Sequence, residues 1–356
     1  MLSAYRRSGA DLPFGRPHRP HGVAMEGWFW RFTDVESGTV VVALAAVNRA
    51  ADGRAWGTVG LAAHPGGFCR SALLDEAFAA DDESLAIGQA LQADPRSVRL
   101  DLGPEARLSV ELDAAVRWPR RVFGGLGLAQ TIPGLSQYWH PWLLHARVRG
   151  HAVVDGRRIG LDGAVAYAEK NWSNGGFPES WWWGQAHGFG DDGDACVAFA
   201  GGRAGVGRVR MLATALVVRA GGETIRLVRP LQPLRVGVDA QGWRMSGRTP
   251  GGVGVEVEGH ANGTAPHALP IPLPAERRHR EDAAMQHLAG ELRVVLRRRG
   301  RTLFAGTSTL AGLERGNGGP AEARIVVAGS ADGSSLVRQH RLDPEAQPGA
   351  TRRPSG

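Results

Sequence analysis

Residues 161–189 read LDGAVAYAEKNWSNGGFPESWWWGQAHGF, and the rest of the chain is organised around them. Four of the eleven tryptophans fall here, with Tyr167, Glu169, Asn171, His187 and Lys170, the only lysine of the protein. Read as strands, the stretch sorts its side chains by parity. Glu169 and Lys170 then point to opposite faces, so the ammonium need not neutralise the carboxyl beside it in sequence. Trp181, Trp183 and Gln185 share one face, and Trp182 with Gly184 the other. An indole has a large apolar face and one N–H that wants a partner when buried. Clustered tryptophans beside ionisable groups therefore suggest an aromatic-walled pocket. A Trp-rich domain junction with an ordinary Glu–Lys pair would contain the same residues.

Outward from this stretch the pattern is one of short strands. Segments 39–47, 56–62, 68–74, 97–102 and 107–113 precede it; 195–200, 207–220, 223–230, 253–259, 291–299, 301–306 and 323–329 follow. Leu108, Val110 and Leu112 alternate with Arg107, Ser109 and Glu111, the pattern of an antiparallel sheet with one face covered. Asp52-Gly53, Asp155-Gly156, Asn262-Gly263 and Asp332-Gly333 supply hairpin-type turns. Residues 75–95, acidic and Ala-rich, predict one short helical turn, and residues 265–281, rich in Pro and His, predict a surface loop. Many short strands with almost no helix predict an all-β chain of two antiparallel β-barrel or sandwich domains packed together. The expected boundaries are an extended lead-in over 1–22, an N-terminal barrel over 23–165, a C-terminal barrel over 166–335 and a disordered tail over 336–356.

A length of 356 residues suits two domains of ordinary size. No run of apolar residues is long enough for a spanning helix. The opening MLSAYRRSGADLPFGRP lacks the apolar core of a secretory signal, so the cytoplasm is the expected compartment. The formal charge of +7 favours anionic surfaces and is compatible with contact at the periphery of a membrane. The arginines are dispersed, and their short clusters around 277–280 and 297–301 lack interleaved aromatics, so nucleic acid is not an expected partner. GGLGLA at 124–129 lacks the spacing of a dinucleotide fingerprint, and no phosphate-loop Gly-Lys-Ser/Thr is present. His140 and His145 have no HExxH arrangement, and Cys69 and Cys196 no metal spacing. No metal or other cofactor is expected.

AYAEKNWSNGGFPESWWWGQAH resembles the signature of the tocopherol cyclase family, an aromatic–Glu–Lys–Asp–Trp–Gly run followed by Phe-Pro and a Trp-x-Trp-x-Gln strand. MEGWFWR at 25–31 is similar to the family's Glu-Gly-Trp-Tyr-Phe entry segment. HARVRGHAVVDGRRIGLDG at 145–163 resembles the strand pair before the motif, and LFAGTSTLAGLERG at 303–316 the closing Phe-x-Gly-x-Ser segment. The resemblance runs from about residue 18 to residue 318. It implies two lipocalin-like barrels with a pocket between or within them. The activity it implies closes a chromanol ring on a prenylated quinol without cofactor or metal. The same broad fold also hosts carotenoid hydratases and pericyclic cyclases. Three departures stand out: Asn171 where the family has Asp, Ser173 and Asn174 after Trp172 in place of Gly, and Phe29 in place of Tyr.

Such a ring closure needs a proton for one alkene carbon, a tolerated cation at the other and a phenol oxygen within reach. The acid must be protonated in a dry pocket, and burial raises a carboxyl's pKa by several units. Glu169 and Glu26 are the candidate acids, with Asn171 in the place of the family's Asp. Glu26, before Gly27, equally suits an acceptor of backbone or indole N–H bonds at a barrel mouth. Trp28, Trp172, Trp181 and Trp183 offer π-faces to the cation. Gln185 or His187 would bind a quinol oxygen, and Tyr138, His140 and Tyr167 are further binding candidates. The expected ligand is an apolar prenylated aromatic molecule. Admitting water would make the same pocket a hydratase. A pocket with no proton-loaded carboxyl would make the protein a lipid or quinone binder.

Overall fold

The computed structural model describes residues 2–7, 9–14, 23–75, 78–120, 122–190, 192–206 and 209–317. A short helix, α1 (Leu2–Arg7), precedes the strands, where the sequence suggested an extended lead-in. The first twelve strands are β1 (Met25–Asp34), β2 (Thr39–Arg49), β3 (Ala55–His64), β4 (Phe68–Asp75), β5 (Phe78–Ala80), β6 (Leu85–Ile87), β7 (Leu91–Asp94), β8 (Ser97–Asp101), β9 (Ala106–Arg117), β10 (Tyr138–Val154), β11 (Arg157–Gly160) and β12 (Val165–Ser173). The next ten are β13 (Trp181–Ala186), β14 (Cys196–Val206), β15 (Val209–Ala220), β16 (Glu223–Arg229), β17 (Leu234–Val238), β18 (Gly242–Arg248), β19 (Val253–His260), β20 (His267–Leu273), β21 (Arg278–Arg298) and β22 (Arg301–Gly316).

Among the described residues these strands make two antiparallel sheets. The first runs β4-β3-β2-β1-β12-β10-β9-β8-β7-β6-β5, and the second β16-β15-β14-β13-β22-β21-β19-β18-β17. Each curls until its far strands meet. Val41, Val59 and Leu61 near one end of the first order share a core with Leu85, Ile87 and Leu91 near the other. The second sheet closes likewise, with Leu216 and Leu227 at one end sharing a core with Val236 and Met245 at the other. Two nearly closed barrels result, as the alternation predicted. Strand β9 keeps that pattern, with Leu108, Val110 and Leu112 inward and Arg107 and Glu111 exposed.

The central strands behave differently. β1 is buried along nearly its whole length and β13 throughout, because one face fills its own barrel and the other packs against the second barrel. A third apolar cluster joins the two, mixing Phe29, Val42, Trp139 and Tyr167 with Trp181, Trp183, Ala198 and Leu288. Polar contacts cross the same seam. Arg31, fully buried, donates through Nη2 to the carbonyls of Leu288 at 2.8 Å and Leu310 at 2.5 Å. Trp56 Nε1 donates to the Pro274 carbonyl at 3.0 Å.

Strand β12 pairs with β1 and β10 in the first sheet. The change of sheet therefore falls between Ser173 and Trp181, later than the boundary expected at 165/166. Residues 75–95 hold strands β5, β6 and β7 rather than a helical turn, since Leu85, Ile87, Leu91 and Ala93 alternate into the first core. Residues 265–281 hold β20, which pairs with β21 and buries His267, Leu269 and Ile271; alternation outweighs its proline content. The strand expected at 323–329, the turn at 332–333 and the tail at 336–356 lie outside the described residues. No helix among the described residues is long and apolar enough to cross a membrane.

Candidate active site

A cavity of about 610 Å³ opens at the seam between the barrels. Its wall is mostly apolar, built from Phe29, Leu44, Trp139, Phe177, Trp181 and Trp183 among others. Two carboxyls interrupt it, Glu169 from β12 and Glu314 from β22.

Glu169 is 4% exposed. Three donors converge on its Oε2: Trp139 Nε1 at 2.8 Å, Tyr167 O–H at 2.6 Å and Trp183 Nε1 at 2.8 Å. Each comes from a different strand position: β10 next to β12, two residues back along β12, and β13 across the seam. Oε1 takes none of them. Burial pushes the Glu169 pKa up from 4.5 to about 7 against the pull of the three donors, and the charge of Glu314 adds to the rise. The rise brings protonation of this carboxyl within reach near neutrality.

Glu314 is held otherwise. Trp181 Nε1 donates to its Oε1 at 2.5 Å and Gln286 Nε2 to its Oε2 at 2.8 Å. Burial raises its pKa too, and both hydrogen bonds oppose the rise. Trp181 lies flat on the backbone of β22, and a Cβ at Gly316 would stand 1.8 Å from its ring. Glycine is what lets this indole reach Glu314. The wall also carries acceptors without a hydrogen-bond partner among the described residues: Asn171 Oδ1, Gln137 Oε1 and Gln286 Oε1. Buried acceptors without donors are costly, so a ligand bringing O–H or N–H groups fits this wall better than a pure hydrocarbon.

The sequence candidates divide by strand parity. Glu169, Asn171, Trp181 and Trp183 meet at the cavity. Lys170 points the other way, into the first barrel, where it forms a 2.5 Å ion pair with Glu26 and lies 5.2 Å from the Trp172 ring. Glu26 is therefore bound to the protein's only lysine, away from the cavity wall. Trp172 stacks on Tyr138 at 5.1 Å; Tyr138 also lines the cavity, and its hydroxyl donates to the Ile132 carbonyl. Trp28 touches the wall, but its Nε1 donates to the Pro13 carbonyl and its ring belongs to the first core. Tyr167 donates its hydroxyl to Glu169 and is not part of the cavity wall. Gln185 and His187 contact each other at 3.3 Å beyond the cavity, and His187 Nε2 meets the Leu144 carbonyl at 2.8 Å. Burial pushes His140 and His187 down to about 3, with Lys170 adding to the effect at His140, so both are neutral at physiological pH. Sequence reasoning missed Trp139, Gln286 and above all Glu314. The latter's signal was its place in the closing segment LFAGTSTLAGLERG.

Fold and site together define a two-barrel β protein with a buried carboxyl of raised pKa in an apolar cavity between its barrels. The chain belongs to the tocopherol cyclase-like family, whose profile matches residues 105–317. A chloroplastic tocopherol cyclase of Zea mays is 28% identical over 202 residues, covering 54% of this chain and 42% of that protein. The match thus spans less than half of that relative's length. Among solved structures, CghA aligns with a TM-score of 0.51 at 11% identity, over 83% of this chain and 90% of that one. CghA with Sch210972 aligns with a TM-score of 0.50 at 10% identity, over 83% and 88% of the two chains. At such identities the likeness concerns the fold alone.

Proposed function

We propose that this protein is an enzyme that protonates an alkene of a prenylated phenol or quinol and lets the phenol oxygen capture the carbocation, closing an ether ring. The observation that carries this reading is the Glu169 carboxyl. Three donors occupy one oxygen and leave the other for a proton, inside an apolar cavity. An ordinary glutamate costs about 4 kcal/mol to protonate at pH 7; at a pKa of about 7 that cost nearly vanishes. The indole faces of Trp181 and Trp183 suit a developing cation, each worth about 1–2 kcal/mol when desolvated. The partnerless acceptors on the wall suit quinol hydroxyls. A lipid binder needs no proton-loaded acid, and Glu169, unlike Glu26, is not tied into an ion pair.

Exposed Ile132, Val209, Met211 and Leu231 also line the cavity, which supports loading of the substrate from a lipid surface as part of the same proposal. The test is mass spectrometry after incubating the protein and Glu169→Gln with a panel of prenylated quinols. A product of unchanged mass and altered retention, lost in the variant, is the expected result. A gain of one water would make the protein a hydratase. Ligand returned unchanged by both proteins would sink the enzymatic reading for that panel.

A further inference from the structure

The geometry points to Glu314, seated by Gln286, as the base that takes the proton of the ring-closing hydroxyl, which makes the cavity an acid–base pair of carboxyls. This rests on the reading of Glu169 as the acid. The two carboxyls are held in unlike ways. Glu169 has every donor on one oxygen, whereas Glu314 has one N–H on each. A carboxylate accepts on both oxygens, while a carboxylic acid must also find an acceptor for its own O–H. Glu314 as found fits the ionised form. A place for the incoming proton exists beside it. Turning the Gln286 amide exchanges Nε2 for Oε1, an acceptor with no partner among the described residues, and a protonated Glu314 can donate to it.

The spacing suits one bound molecule. Trp183 fixes Glu169 and Trp181 fixes Glu314, and these indoles are two residues apart on one face of β13, a step of about 7 Å. The carboxyls thus address different points of the same ligand. The proton of Glu169 goes to the less substituted alkene carbon, and the π electrons form that C–H bond. The phenol oxygen supplies a lone pair to the resulting cation, and its O–H proton passes to Glu314. The product is an isomer of the substrate, Glu169 is left as carboxylate and Glu314 as acid. Exchange with water after product release resets both, and no oxidant, reductant or cofactor enters the balance.

The experiment separates this inference from the one beneath it by using two substrates in D2O. A prenylated quinol reports cyclisation. The ether methylated at the ring-closing hydroxyl has no proton to give up there and reports protonation alone, as deuterium left in the alkene when the cation returns a proton to the Glu169 carboxylate. Glu314→Gln is expected to lose about 100-fold or more in cyclisation, the usual scale for a general base, while still deuterating the ether, though more slowly than wild type because the charge of Glu314 helps to keep Glu169 protonated. Deuteration by the variant also shows that its cavity is intact. Cyclisation at the wild-type rate in Glu314→Gln overturns the assignment and leaves Glu169 as the acid. Loss of both reactions in Glu314→Gln makes Glu314 a structural residue and also overturns it. Failure of the Glu169→Gln variant to differ from wild type in ether deuteration refutes instead the underlying reading.

Discussion

Glu169 should make the protein less stable as the pH rises, and replacing it by Gln should remove that dependence. Burial holds its pKa at about 7 in the folded chain against an ordinary 4.5. Between those values the native state keeps a proton that the unfolded state has lost, so stability falls with rising pH across that window. At 1.36 kcal/mol per pH unit the loss amounts to about 3 kcal/mol. It is complete once the pH passes the folded value. His140 and His187, held at about 3 by burial, act in the opposite sense, gaining stability as the pH rises through their unfolded value. They are common to both proteins and drop out of the difference. Urea unfolding of wild type and Glu169→Gln between pH 4.5 and 8 measures it directly. The variant should pull ahead by about 3 kcal/mol over this range. Parallel curves for the two proteins would refute the claim that Glu169 is buried with a raised pKa.

Turnover should decline about tenfold per pH unit above about 7, as Glu169 loses its proton; a rate that stays flat to pH 9 would exclude it as the acid. Lys170→Met, which leaves the Glu26 carboxyl without its ammonium partner, should cost about 3–5 kcal/mol in urea unfolding, and Lys170→Met with Glu26→Leu should recover most of it. Gly316→Ala must push the Trp181 ring aside. It should lower kcat at least tenfold while the circular dichroism spectrum stays that of wild type, and unchanged turnover would separate Trp181 from the chemistry. Leu231→Glu together with Val209→Glu should reduce flotation with anionic phospholipid vesicles; equal flotation of both proteins would argue against loading from a lipid surface at this rim.

Much of this site was legible because parity along a strand needs nothing but the two-residue period. Glu169 was separable from Lys170, and Trp181 and Trp183 fell together, before any partner strand was known. The same rule, carried two residues further, puts Trp172 on the lysine face. Tyr138 and His140 follow it there because they register with Trp172 and Lys170 on β10. That last step requires pairing between strands that are distant in sequence, as does the union of Glu26 with Lys170 across β1 and β12. Glu314 stayed hidden for a related reason. Beside Arg315 it reads as half of a solvated charge pair, and only the register of Glu314 against Trp183 on β13 places it at the cavity. Composition misled where packing ruled: the Pro- and His-rich β20 is a buried seam strand, not a loop.

The opposed faces of β12 also limit which sequence changes the protein can survive. β12 is clasped between β1 and β10, so its side chains cannot drift to another face while those pairings last. A single residue inserted or deleted ahead of Glu169 within the strand would exchange the two faces downstream of it. The ammonium of Lys170 would then enter the cavity, and the carboxyl of Glu169 would enter the first barrel, beside Glu26 in the case of an insertion. Point changes in the aromatic wall alter the shape of the cavity and leave its acid in place. A length change of one residue in β12 would replace the carboxyl by an ammonium, so lineages of this protein should vary freely in the loops around β12 and never in its length.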